Sequence, residues 1–192
     1  MKKKKEVKQA TTYQTKSKAV KLGGDFDTEL IKEFASTWVL LDAYDKETLD
    51  INSKTKKSIS LVAGELAGAI KNLRGELFKK SQATELFAQE RKSGSVEGIV
   101  GNVMQSFGGQ SLYPSLEEKA AHLLYFMVKN HPFVDGNKRS GAFTFIWFLR
   151  KYCARASHNI NPATLIVLTL LIAESDPSKK EQMVVLVTNL LK

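Results

Sequence analysis

The chain has 192 residues, 43% of them hydrophobic, which is enough for one domain with a real core and excludes a wholly disordered protein. Its net charge of +9 is unevenly placed, because residues 1–22 hold eight lysines and one glutamate and so carry +7 of it. We interpret residues 1–22 as a basic flexible tail that aids solubility and contacts nucleic acid only weakly, if at all. The single cysteine, the lack of a secretory signal and the short apolar runs predict a cytoplasmic protein with no membrane partner.

Residues 23–93 are predicted to form an N-terminal helical extension. Helical spacing first appears after Gly23-Gly24, and a second amphipathic segment runs from Ile59 to Leu77. We expect residues 79–90 to continue as helix. The first stripe is predicted to face the core, and it consists of Phe26, Leu30, Ile31, Phe34, Trp38 and Leu41.

Residues 94–192 are predicted to form the core domain. A short helix leads into a glycine-turned extended loop, after which the capping box Ser115 to Glu118 starts a helix that ends at His131. Asn161-Pro162 and Asp176-Pro177 start two final helices, 162–174 and 177–191. No convincing strand pair is visible, so the predicted fold class is all-α with one extended loop.

The nine residues from His131 to Arg139 carry the candidate chemistry. Pro132 keeps His131 out of helical geometry, so the imidazole is expected at a helix end, where it can act as a general base. Asp135 offers one carboxylate for Mg²⁺, an ion that takes its other ligands from water and substrate phosphates. This combination indicates attack of a hydroxyl on a nucleotide phosphate.

The residues after Asp135 suit an anion. Gly136 lets the backbone approach a ligand closely, and Asn137 is predicted to be an N-cap, so the first free amides of the next helix would face the loop. Lys138 and Arg139 add a point charge and a planar fork for phosphate oxygens. Taken singly, each of these residues has a plain structural reading as a helix end, a turn former or a solvated charge.

As a block, His131-Pro-Phe-Val-Asp135-Gly136-Asn137-Lys138-Arg139 resembles the signature of the Fic/Doc family at every defined position. The resemblance covers about residues 94–192 and implies a compact helical bundle that attaches a phosphate-containing group, most often AMP from ATP, to a Ser, Thr or Tyr hydroxyl. It implies His131 as catalytic base and Asp135 as the Mg²⁺ ligand. Gly136, Asn137, Lys138 and Arg139 would bind the nucleotide phosphates, and Phe133 would anchor the loop in the core.

Two departures leave the transferred group open. AMP-transferring members commonly have glycine where this chain has Lys138 and a second arginine where it has Ala142. Doc-like members resemble this chain in both respects and can transfer the terminal phosphate, so either reaction stays possible. Ser93 to Glu97-Gly98 also fits the short string of an inhibitory helix, but coincidence is favoured because the arginine that such a glutamate pairs with is missing.

The family further implies a flap that docks the target protein, here Phe107, Gly108, Gly109, Leu112 and Tyr113. The resemblance implies a target protein with an accessible hydroxyl as partner, and an antitoxin or inhibitory partner as a second candidate. The alternative hypothesis is a catalytically silent Fic-fold binding or regulatory protein with a tail that contacts nucleic acid.

Overall fold

The structure is a computed structural model, and it describes residues 25–51, 55, 59–153 and 157–191. The predicted tail, residues 1–22, lies outside the described residues. The chain divides into two compact units, residues 1–40 and residues 41–192. The predicted domain boundaries after residues 22 and 93 stay predictions.

The structure confirms the all-α fold class. Beside the helices there is one short antiparallel pair in the described part, β1 (Ser106–Phe107) and β2 (Gln110–Ser111), which corrects the expectation of no strand pair. The helices are α1 (Asp25–Asp45), α2 (Ala63–Lys79), α3 (Ser95–Met104), α4 (Leu116–Lys129), α5 (Asn137–Tyr152), α6 (Pro162–Glu174) and α7 (Lys180–Leu190), with a 3₁₀ turn at Pro177–Lys179.

Helix α1 corrects a second expectation. The predicted core stripe is exposed in the structure, so the prediction that these side chains form core is wrong for the residues described. Helical spacing of apolar residues indicates an apolar face, but it does not say what covers that face. The exposed side chains are Leu30, Ile31, Phe34, Trp38 and Leu41, at 50–67%.

Helix α4 is the centre of the larger unit. It packs against α3, α5, α6 and α7, and nearly every side chain along it is buried. Its start is fixed by the predicted capping box, since Ser115 Oγ accepts from the Glu118 amide at 3.1 Å and Glu118 Oε2 accepts from the Ser115 amide at 3.0 Å. A rigid α4 therefore delivers its C-terminal end, and His131 beyond it, to a fixed place.

Helix α6 begins where the sequence predicts, whereas the predicted last helix opens as a 3₁₀ turn at Pro177 and becomes α-helical at Lys180. Asn161 Oδ1 accepts from the Thr164 amide at 2.9 Å at the start of α6. Asp176 Oδ1 accepts from the Ser178 amide at 2.8 Å and caps the 3₁₀ turn that leads into α7. No helix in the described part of the chain is long and apolar enough to cross a membrane.

Candidate active site

The loop between α4 and α5 holds the candidate catalytic residues. Helix α4 ends at Lys129, and His131 follows with a φ of 47°, in the left-handed region that few non-glycine residues adopt. The prediction that His131 lies at a helix end and outside helical geometry is confirmed. The side chain is exposed, so the imidazole is accessible to a reacting group.

Asn137 is not the N-cap, and that prediction is wrong. Gly136 occupies the cap with a φ of 83°, and Asn137 is the first helical residue of α5. The buried Asn137 carboxamide instead accepts from the Phe133 amide at 2.8 Å and donates to the Phe133 carbonyl at 2.9 Å. Asn137 thus closes the loop on itself, and Phe133 is buried in the core as expected.

Gly136 is required for two reasons. Its positive φ strains any residue with a Cβ, and an added Cβ would lie 2.3 Å from the Phe87 ring. A buried aromatic side chain therefore packs closely on this glycine, and the predicted close approach of a ligand to the backbone stays a prediction. Phe87 in turn supports the Arg139 guanidinium, which lies 4.5 Å from the centre of its ring.

The segment around Phe87 is not the continued helix that the sequence predicted. Helix α2 ends at Lys79, and residues 84–91 run beside the loop 130–136 as irregular chain. Three backbone bonds join them: Ala88 N donates to Asp135 O at 3.0 Å, Val134 N to Gln89 O at 2.8 Å and Arg91 N to Pro132 O at 2.8 Å. Because the paired segments are more than 40 positions apart, their pairing produces no periodic pattern in the sequence. Only the aromatic side chain of Phe87 marks this segment as one that could pack in the core.

The charged side chains of the loop lie at its surface. Arg139 Nη2 contacts Asp135 Oδ2 at 3.1 Å, and both side chains are about half exposed. Lys138 Nζ lies 3.8 Å from Glu174 Oε1 at the end of α6. The lysine therefore points towards α6. Its position in the motif had suggested that it fills the space in front of α5, and it does not do so.

The start of α5 provides backbone donors. Ser140 N donates to Gly136 O at 2.8 Å, which is the first bond of the helix. The amides of Asn137, Lys138 and Arg139 precede it and have no acceptor within the helix. Together with the Arg139 side chain they form a surface that suits a phosphate group.

His131 also lines a groove on its other side. This groove has a volume of about 340 Å³ and runs between the catalytic loop and α3, where Ser95, Gly98 and Asn102 face it. Glu97 lines a different groove, towards α2. The glutamate of the inhibitory-type string is thus directed away from His131.

The predicted flap is a hairpin. Gly108 and Gly109 form its turn with φ of 56° and 80°, and Phe107 is 91% exposed at its tip, with Leu112 half exposed after it. Tyr113 does not face outward, because its ring stacks on His122 at 3.6 Å. His122 itself is fully buried.

A buried lysine holds the end of the hairpin. Lys119 of α4 is 3% exposed, and its Nζ donates to Ser111 Oγ at 2.7 Å and to the Tyr113 carbonyl. Burial lowers the pKa of Lys119. The hairpin is therefore fixed to α4, the same helix that positions His131.

A magnesium ion can be tested against these residues. Among the described residues, no group of three or more His, Cys, Asp or Glu side chains could hold a metal ion. Asp135 does present an accessible carboxylate next to the amides of α5. One carboxylate beside a phosphate surface fits Mg²⁺, which in proteins usually binds one or two carboxylates together with substrate phosphates and water.

The fold and the loop define a class: a helical domain in which a rigid helix places a histidine beside a glycine-capped helix start that can bind phosphate. The Fic/DOC family model matches residues 66–149, which span α2 to α5 and include the whole loop. Residues 66–149 are thus similar to the Fic/DOC family, a family of NTP-using transferases and regulatory proteins. The comparison with curated proteins gives no significant match, and neither does the comparison with solved structures.

Proposed function

We propose that this chain transfers a phosphate-containing group from an NTP such as ATP to a Ser, Thr or Tyr hydroxyl of a target protein. The observation that carries the proposal is the segment 131–139, whose nine residues hold an accessible imidazole, a carboxylate in contact with a guanidinium, and the free amides at the start of α5. In such a set the base accepts the proton of the hydroxyl, and the hydrogen-bond donors bind the phosphate oxygens.

In the proposed reaction His131 takes the proton of the target hydroxyl as its oxygen attacks phosphorus. For AMP transfer, the bond from the α-phosphorus to the bridging oxygen breaks and pyrophosphate leaves. For transfer of the terminal phosphate, the bond to the γ-phosphorus breaks and ADP leaves. The α5 amides and Arg139 would hold the phosphate oxygens where negative charge develops.

Asp135 would hold Mg²⁺, which, when bound, supplies positive charge that neutralises the phosphate oxygens. The side chain is already oriented by Arg139 at 3.1 Å. Lys138 bears on the choice between the two reactions. Because its amine lies towards Glu174, the space in front of the α5 amides is not filled by it, and both nucleotide orientations stay within the proposal.

The test is transfer of label to protein in a cell lysate, with α-labelled and γ-labelled ATP used in parallel. Label from the α-position that is absent with His131→Ala indicates AMP transfer, and label from the γ-position that is absent with His131→Ala indicates phosphate transfer. If neither position labels a protein in the presence of Mg²⁺, the proposal is wrong. A rise in the unfolding midpoint with Mg-ATP but no labelling would favour the silent binding protein instead.

A further inference from the structure

We propose that the groove between His131 and α3 receives the acceptor segment of the target protein, and that Arg91 selects segments with an acidic residue near the modified hydroxyl. This inference rests on the proposed function and names its substrate class. The groove holds about 340 Å³, and its polar lining includes Arg91, Ser95, Asn102, Asn130 and His131.

The position of the groove places it on the acceptor side. In phosphoryl and nucleotidyl transfer the attacking and leaving oxygens lie roughly in line, so the acceptor approaches opposite the leaving group. The phosphate-binding surface consists of the amides of residues 137–139 and the Arg139 side chain, and none of these residues lines the groove. His131 borders the groove, so a segment lying there can present its hydroxyl to the base.

Arg91 is held in place without being neutralised. Its backbone amide donates to the Pro132 carbonyl at 2.8 Å, and its Nε donates to the Phe133 carbonyl at 2.9 Å. Within the described part of the chain, its terminal nitrogens form no ion pair. The guanidinium is thus fixed beside His131 with donors left for a carboxylate.

The nearby glutamates do not compensate Arg91. Glu90 accepts from the amides of Gly94 and Val96 at 3.0 Å and 2.9 Å, and so caps the start of α3. Glu90 and Glu97 both line the groove towards α2, and no acidic residue lines the groove at His131. Its only ionisable lining groups are a guanidinium and an imidazole, so an acidic occupant is favoured.

The groove also continues to the hairpin. Ser95, Gly98 and Asn102 lie on one face of α3, and their span of about 10 Å equals roughly three residues of an extended segment. The hairpin follows at Ser106, and the Gln105 side chain donates to Asn102 at 2.7 Å. A segment paired with the hairpin can therefore extend past His131 towards Arg91, which places the acidic residue within about four positions of the hydroxyl.

The experiment uses the full chain and synthetic peptides with one hydroxyl residue and Asp, Ala or Lys at each flanking position. At one flanking position, wild type is expected to modify the Asp peptide about tenfold faster than the Ala peptide. One charge-assisted contact contributes about that factor. Arg91→Glu should reverse the preference to Lys peptides while the affinity for Mg-ATP stays unchanged. No acidic preference, a preference that survives in Arg91→Glu, or a fall in Mg-ATP affinity would each overturn the inference.

Two glycine variants test the groove itself. Gly98 and Gly101 are both exposed on helix α3, and a Cβ at either position would meet nothing within 4 Å, so the two leucine variants form a matched pair whose folding is checked by circular dichroism. Gly98→Leu fills the groove and should abolish peptide modification, whereas Gly101→Leu, which lies outside the groove, should not. Equal activity of the two variants would contradict the groove assignment.

A binding measurement separates this inference from the proposed function. Fluorescence anisotropy with the Asp, Ala and Lys peptides needs no catalysis. If no peptide is ever labelled but Asp peptides bind wild type and not Arg91→Glu, the groove stands and the transfer proposal fails. If peptides are labelled without any charge preference, transfer stands and the groove assignment fails.

Discussion

Gly136 shows how closely one residue is constrained in the loop between α4 and α5. Its φ of 83° and the Phe87 ring, 2.3 Å from any added Cβ, both exclude a side chain. We predict that Gly136→Ala lowers the free energy of unfolding by about 2–4 kcal/mol, from backbone strain and overpacking together. Urea unfolding followed by circular dichroism measures this change.

The matched control is Gly98→Ala. Gly98 lies in helix α3, where a Cβ meets nothing, so alanine should raise stability by up to about 1 kcal/mol. If both variants unfolded at the same urea concentration as wild type, the contact between Phe87 and Gly136 would be wrong.

At the scale of the element, the hairpin is predicted to align the target. Gly109 has a φ of 80°, which proline cannot adopt, so Gly109→Pro breaks the turn between β1 and β2. Transfer to a protein target should fall much more than the affinity for the nucleotide, because the phosphate-binding residues lie elsewhere. The flap assignment fails if the two quantities fall together or if neither changes.

Helix α4 gives a prediction about pH. Burial lowers the pKa of His122, whose Nδ1 donates to the Glu118 carbonyl at 2.8 Å and whose ring is stacked on Tyr113. Below a pH of about 6.5 the unfolded chain protonates this histidine more readily than the folded chain does, so the free energy of unfolding falls as the pH falls.

His122→Phe keeps a stacked ring without the titration. Its free energy of unfolding should therefore fall less between pH 7 and pH 5 than that of wild type. Thermal or urea unfolding at each pH measures this difference. Identical pH profiles for the two proteins would remove His122 as the cause.

Local signals explain which elements the sequence predicts correctly. The capping box at Ser115 and the caps at Asn161 and Asp176 depend on residues a few positions apart, and the structure has all three. Pro132 likewise accounts for the end of α4 before His131, although the left-handed φ of 47° at His131 is not the extended conformation that a following proline favours. Residues that are close in sequence therefore determine these features.

The mistaken predictions concern distant contacts. Asn137 carries the residue type of an N-cap, but its side chain is used by Phe133, and the cap passes to Gly136. The segment after Lys79 has helical composition, but it pairs with the catalytic loop instead. Arg91 was missed for the same reason, because neither its partners nor its groove can be read from neighbouring residues.

At the scale of the whole molecule, the positive charge of residues 1–22 is predicted to play no part in catalysis. Residues 1–22 carry +7 of the net charge of +9, so their deletion should remove most salt-sensitive affinity for nucleic acid while sparing transfer. Binding to a DNA duplex at increasing salt concentration measures this, with the full chain as reference. DNA binding that survives the deletion would locate a basic surface in residues 23–192.

The most direct test of the proposed division between binding and chemistry is the variant His131→Ala. The imidazole is exposed at the end of α4 and is not part of the phosphate-binding surface of α5. Loss of a general base typically costs 10² to 10⁴ in rate, so transfer from labelled Mg-ATP to the target should fall by about that factor, while the nucleotide dissociation constant stays near the wild-type value. Unchanged turnover in His131→Ala would contradict the assignment of the base and, with it, the proposed mechanism.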